Sequence, residues 1–221
     1  MDAFFVALLA LFVALLLVSE RRDSMRGRWL TKPAASVLFV VAGARSLVFA
    51  TPNAGLTSFE RLVFAGLVLA ALGDVLLIRA QRPDAVGQRF FLAGLATFLL
   101  GHVAYAGAFA VRGVSVFAVE GVALPLLLAG ALILGWLWPH VPKPLRGAVV
   151  AYALVISAMV ALAVGTTLAH GNAWLSCAAL AFYVSDLAVA RDQFVKRAFS
   201  NRLWGLPLYY AAQLAFATVA R

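Results

Sequence analysis

Charge is scarce in this chain. Only 12% of its 221 residues are Asp, Glu, Lys or Arg, whereas 64% are hydrophobic and the mean hydropathy is +0.97. Soluble domains carry about 25% charged residues. Too few polar side chains remain here to cover a soluble surface, so lipid is the solvent for most of the chain. Cysteine occurs once, as Cys177 in an apolar run, which excludes an intramolecular disulfide and reads as inert packing. No Asn-x-Ser/Thr acceptor, Gly-x-Ser-x-Gly elbow, P-loop or dinucleotide fingerprint is present. The apolar runs lack the period-two alternation of a barrel strand. Helices are what remain, because they satisfy their own backbone hydrogen bonds in lipid.

What is there is a series of eight apolar segments, roughly 3–19, 33–50, 60–78, 89–111, 121–138, 145–168, 172–190 and 203–220. The second opens after Lys32-Pro33, and proline suits a first helical turn. The sixth follows Pro139-His140-Val141-Pro142-Lys143-Pro144, which cannot continue a helix. His170-Gly171-Asn172 makes a short turn between the sixth and seventh. The longest connection is about a dozen residues, too short for a soluble domain. The expected architecture is all-α, a single transmembrane domain over residues 1–221 built as a bundle of eight helices.

The net charge of +9 could signal nucleic acid, but the distribution of bases accounts for it otherwise. Alternate connections hold Arg21, Arg22, Arg26, Arg28 and Lys32; Arg79, Arg82 and Arg89; Lys143 and Arg146; and Arg191, Lys196, Arg197 and Arg202. The opposite side holds Arg61, Arg112 and Arg221, and Arg45 falls inside the second segment with no evident role beyond snorkelling outward. A 14 to 3 split that alternates through eight segments is the positive-inside bias. It places both termini on the non-cytoplasmic side and leaves no reason to expect a nucleic-acid partner. The first apolar run is followed, not preceded, by charge at Glu20-Arg21-Arg22-Asp23, so it reads as a retained helix rather than a signal peptide. The compact, Ala-rich chain suits a bacterial inner membrane.

Ionisable groups inside a membrane are costly and mark function by default. Asp74 precedes Arg79 by five residues, and Asp186 precedes Arg191 by five. Both helices run toward the basic side, so each aspartate sits about 7 Å inside the basic edge at 1.5 Å per residue. Two carboxylates at matched depth could face one cavity, or could each be a structural partner for a neighbouring helix. Gly66, Ala70 and Gly73 form a small-residue strip leading to Asp74, the mark of close helix contact. His102 and Tyr105 share a helix face, as do Tyr209 or Tyr210 with Gln213. Lys32, at a helix margin, could pair with an aspartate or meet a lipid phosphate. The three histidines fall at mid-membrane (His102), on the basic side (His140) and on the opposite side (His170), so they cannot form a tri-histidine zinc site. Neither a metal nor a cofactor is expected.

These motifs resemble the YhhN/TMEM86 family of eight-helix membrane proteins, whose characterised animal members are lysoplasmalogenases. The matching pieces are Lys32-Pro33, Gly73-Asp74-Val75-Leu76-Leu77, the Phe91, Gly94, Phe98, Gly101-His102 and Tyr105 series, Phe182 with Ser185-Asp186 and Ala190, and Tyr209-Tyr210-Ala211-Ala212-Gln213. They occur in family order across nearly the whole chain. One departure is the opening of the seventh helix, where Asn172-Ala173-Trp174 replaces a small Gly-Ala start. The resemblance implies hydrolysis of the vinyl ether of a 1-alkenyl-glycerophospholipid with a free second position. The products would be a fatty aldehyde and glycerophosphocholine or glycerophosphoethanolamine. Such a reaction needs one carboxylic acid to protonate the β-carbon and one carboxylate to stabilise the cation or activate water. Asp74 and Asp186 are the expected pair, with His102, Tyr105, Tyr209, Tyr210 and Gln213 positioning water and head group and Lys32 holding the phosphate. Paired carboxylates would also serve a proton-coupled transporter, for which Pro125 and Pro207 are the only candidate helix breaks, and a non-catalytic scaffold is a third reading.

Overall fold

The computed structural model describes residues 3–50, 55–81 and 84–219. Arg82 and Arg221 of the charge map, and both chain ends, lie outside them. Eight α-helices follow one another: α1 (Ala3–Arg21), α2 (Met25–Ala50), α3 (Ser58–Arg79), α4 (Ala85–Arg112), α5 (Val116–Leu137), α6 (Arg146–His170), α7 (Ala173–Ala190) and α8 (Phe199–Val219). A 3₁₀ turn (Lys143–Leu145) precedes α6, and one π-helical turn (Arg191–Val195) prolongs α7.

Several helices start earlier than their apolar runs because local caps set their beginnings. Ser24 Oγ accepts from Gly27 N–H at 3.2 Å, which opens α2 eight residues before Pro33. Pro33 therefore stands inside α2, where it withholds a donor from the Trp29 carbonyl, and not in a first turn as its position after Lys32 suggested. Thr57 and Glu60 form a capping box on α3. Asp84 caps α4 through Gly87 N–H, and Ser115 caps α5 through Ala118 N–H. Gly171, at φ 78°, ends α6 in the left-handed region that favours glycine. Pro125 and Pro207 lie within continuous helices, so neither breaks its helix.

By length and composition α1 to α7 each qualify to cross a membrane, and the protein is an integral, multi-pass membrane protein. α8 is 21 residues long, yet its polarity keeps it out of that set. That polarity faces inward: Asn201, Tyr210 and Gln213 are fully buried, and Tyr209 nearly so. α8 packs on α1, α2, α3 and α7, so it supplies polar groups to the middle of the bundle. α4 joins α3 to α6, while α5 packs chiefly on α6 and keeps most of its surface outward.

With lipid outside, apolar burial provides little drive between helices, and close packing must hold them together. The α3–α4 contact shows this. A Cβ on Gly66 would stand 2.6 Å from the Tyr105 ring, and one on Gly73 would stand 2.6 Å from the Phe98 ring. The small strip thus lets two aromatic side chains of α4 lie against the backbone of α3. Cys177 lies on the exposed outer face of α7, so it is no part of the packed interior. Arg45 places its guanidinium 5.7 Å from the centre of the Phe5 ring.

Candidate active site

A cavity of about 540 Å³ opens inside the bundle, lined from Glu20 of α1 and Lys32 of α2 round to Tyr209 of α8. Its apolar wall comes from α4, α5 and α6, including Phe91, Leu95, Ile133, Leu134 and Ile156. Its polar wall carries Asp74, Asp186, Lys32, Tyr152 and Tyr209. Both aspartates project from helices that run toward the basic end, and both line this one space.

Asp74 is 2% exposed and heavily bonded. Lys32 Nζ lies 3.1 Å from its Oδ1. Its Oδ2 accepts from Ser36 Oγ at 2.7 Å, Tyr209 OH at 2.8 Å and Tyr210 OH at 3.4 Å. The α2 and α8 donors meet here because Ser36 is one turn beyond Lys32 and the two tyrosines reach across from the centre of the bundle. A carboxylate can accept all of these at once; a neutral acid could not match the ammonium.

Asp186 is arranged differently. Its side chain is 17% exposed, and no Lys or Arg pairs with it among the described residues. One oxygen, Oδ2, meets both His102 Nε2 at 3.0 Å and Tyr152 OH at 2.7 Å. His102 is fully buried, edge-on to Phe182 with ring centres 4.4 Å apart. Its Nδ1 has no partner among the described residues. That favours the neutral ring with the proton on Nε2, donating to Asp186. Asp74 thus meets an ammonium on one oxygen and hydroxyls on the other, whereas Asp186 is held on one oxygen by His102 and Tyr152.

The remaining residues singled out in the sequence divide by position. His102 and Tyr210 touch the aspartates from behind the cavity wall. Tyr105 OH donates to Gln213 Oε1 at 2.6 Å, and both residues are fully buried away from the cavity lining. They tie α4 to α8. The shared face of His102 and Tyr105 does not make them partners: one points to α7, the other to α8. Sequence reading missed Ser36 and Tyr152. Ser36 had a signal, since i and i+4 put it on the face of Lys32. Tyr152 is an unremarkable tyrosine in an apolar segment and had none.

The basic end of the cavity is braced by charge. Arg28, 2% exposed, pairs with Glu20 at 3.0 Å and Asp23 at 2.7 Å. Arg202 pairs with Glu20 at 2.5 Å and Asp192 at 3.1 Å. These contacts join the end of α1, the starts of α2 and α8, and the π turn after α7. At the far end His170 Nε2 meets the Arg112 carbonyl at 2.9 Å, and Arg112 lies over Phe59. No cluster of three His, Cys, Asp or Glu side chains suited to a metal ion forms among the described residues.

Comparison with known proteins agrees with this architecture. Residues 27–220 match the profile of the YhhN family. Over 189 residues the chain is 29% identical to lysoplasmalogenase TMEM86A of Bos taurus, covering 83% of this chain and 72% of that protein. It is 31% identical to lysoplasmalogenase TMEM86B of Sus scrofa, over 76% of this chain and 72% of that one. A lysoplasmalogenase of Mycobacterium bovis is 28% identical over 69% of this chain and 56% of its own length. No solved structure matches. A profile match over residues 27–220, most of the chain, makes this protein a member of the YhhN family.

Proposed function

We propose that this protein is a lysoplasmalogenase-type hydrolase that cleaves the vinyl ether of 1-alkenyl-glycerophosphocholine or 1-alkenyl-glycerophosphoethanolamine. The observation that carries the reading is the unequal setting of two aspartates on one partly apolar cavity. Asp186 acts as the acid. It has no Lys or Arg partner among the described residues and stands at the edge of an apolar space. Its proton goes to the β-carbon of the vinyl ether, and the oxygen-bearing carbon becomes an oxocarbenium ion. Asp74, fixed as a carboxylate by Lys32, Ser36 and Tyr209, stabilises that cation and orients the attacking water. Water adds to the cation, a proton returns to Asp186, and the hemiacetal collapses to aldehyde and glycerol hydroxyl. His102 and Tyr152 hold the Asp186 carboxyl in position. The alkenyl chain lies along the apolar wall of α4, α5 and α6.

The similarity to proteins named lysoplasmalogenase supports the same reading. We place the protein in a bacterial inner membrane with the basic helix ends in the cytoplasm, where the charge bias puts them. The test is aldehyde release from the two 1-alkenyl lysophospholipids by detergent-purified protein, beside Asp74→Asn and Asp186→Asn. Aldehyde from the wild type alone supports the reading. A fully active Asp186→Asn protein would sink the acid assignment, and no aldehyde from folded wild type would sink the activity.

A further inference from the structure

A second cavity, of about 570 Å³, lies at the basic end of the bundle. It shares Glu20, Gln81, Arg197 and Arg202 with the aspartate cavity, so the two adjoin. Most cations around them are committed. Lys32 serves Asp74, Arg28 serves Glu20 and Asp23, and Arg202 serves Glu20 and Asp192. Arg191 donates to Asn201. Lys196 and Arg197 are different. Both are exposed, both line the aspartate cavity, and neither has an ion-pair partner among the described residues.

The backbone that presents them is fixed. Lys196 N–H donates to the Arg191 carbonyl at 2.8 Å, and Ala198 N–H donates to Asp192 Oδ1 at 2.9 Å. The fully buried Asn201 donates its Nδ2 to the Lys196 carbonyl at 2.8 Å. Arg197 also faces Asp23 across the second cavity: after Arg28, its charge helps to hold that carboxyl below the usual range. Two cations without an ion pair among the described residues, on a pinned loop, one of them a guanidinium able to grip two phosphate oxygens, suit an anion.

The depth fits one kind of anion. Asp186 lies five residues before Arg191, a rise of about 7.5 Å along the helix. In an extended lysophospholipid the ether oxygen and the phosphorus are about 6 Å apart, from single bonds of about 1.5 Å. A vinyl ether at Asp186 therefore sets its phosphate at the level of the π turn and the loop that follows. Lys32, the residue the sequence offered for the phosphate, is held at Asp74 and sits too deep for this.

We infer that Arg197, assisted by Lys196, binds the phosphate of the lysophospholipid head group and sets the enzyme's preference for phosphorylated substrates. The inference takes its ligand from the vinyl ether reading, so its test avoids catalysis. The probes are two saturated 1-O-hexadecyl ethers that cannot be hydrolysed by this route, the glycerophosphocholine and the plain glycerol. Binding to purified protein is followed by tryptophan fluorescence in one detergent. Wild type binds the phosphorylated ether at least tenfold more tightly than the plain one. Arg197→Gln reduces that ratio tenfold, Lys196→Gln/Arg197→Gln abolishes it, and Arg197→Lys restores part of it. A ratio unchanged in the double variant overturns the proposal, as does equal weakening of both ethers. Displacement of the phosphorylated ether by low millimolar inorganic phosphate would assign the site to free phosphate and also overturn it. Absence of aldehyde release from the alkenyl substrate would sink the hydrolase reading while leaving this binding result to stand on its own.

Discussion

Lys32 Nζ and Asp74 Oδ1 stand 3.1 Å apart, with 12% and 3% of their side chains exposed. Removing one member of so buried a pair leaves the other charge uncompensated, at a cost of about 3–5 kcal/mol. Asp74→Asn should therefore unfold at a clearly lower temperature in detergent. Lys32→Met/Asp74→Asn, which removes both charges, should recover most of that loss while staying inactive. Recovery of stability without recovery of aldehyde release separates the structural role of Asp74 from its proposed catalytic one. Recovery of both would mean that Asp74 matters only to the fold.

Tyr152 OH and His102 Nε2 converge on the same oxygen of Asp186. A hydrogen bond between neutral groups contributes about 0.5–1.5 kcal/mol. If that contribution positions the acid, Tyr152→Phe should lower kcat roughly twofold to tenfold. KM should change little, because the hydroxyl bonds the aspartate rather than the lipid. An unchanged kcat with a raised KM would place Tyr152 on the substrate instead.

The helix count, the alternation of charged ends and the two aspartates were legible in the sequence because lipid forces long apolar runs and the positive-inside bias marks their ends. The wiring around the aspartates was not. Lys32 and Asp74 are 42 residues apart, and nothing in either segment says which way the lysine turns. Tyr152 and Tyr183 look alike in sequence, yet only Tyr152 bonds Asp186. Helix starts were misplaced for a related reason. Apolar runs report lipid, whereas Ser24, Asp84 and Ser115 report where hydrogen bonding begins, and the two boundaries differ by up to eight residues.

Gly73 offers a test of the α3–α4 contact beside the site. Its Cβ position lies 2.6 Å from the Phe98 ring, and Phe98 lines the cavity and packs edge-on against Tyr209. Gly73→Ala should cost about 1–3 kcal/mol by overpacking. It should also lower activity, because the displaced ring presses on a donor to Asp74. Gly135→Ala on the open face of α5 meets nothing within 4 Å and should leave thermal unfolding unchanged or slightly higher. Equal behaviour of the two variants would contradict the close approach.

Glu20 carries two arginines at once, Arg28 at 3.0 Å and Arg202 at 2.5 Å, with its own side chain 5% exposed. Glu20→Gln leaves Arg28 with only the exposed Asp23 and should cost about 3–5 kcal/mol. Asp23 is the contrasting case. Arg28 holds its carboxyl below the ordinary range, but the group is fully exposed and water screens the pair. A lowered folded-state value means that its contribution is present above the ordinary range and is lost only as pH falls below about 3.9. Asp23→Asn should therefore leave unfolding at neutral pH where it is, while Glu20→Gln lowers it there. If the two substitutions proved equally mild, the α1–α2–α8 junction would be held by packing alone, and the charged network would serve only the cavity beside it.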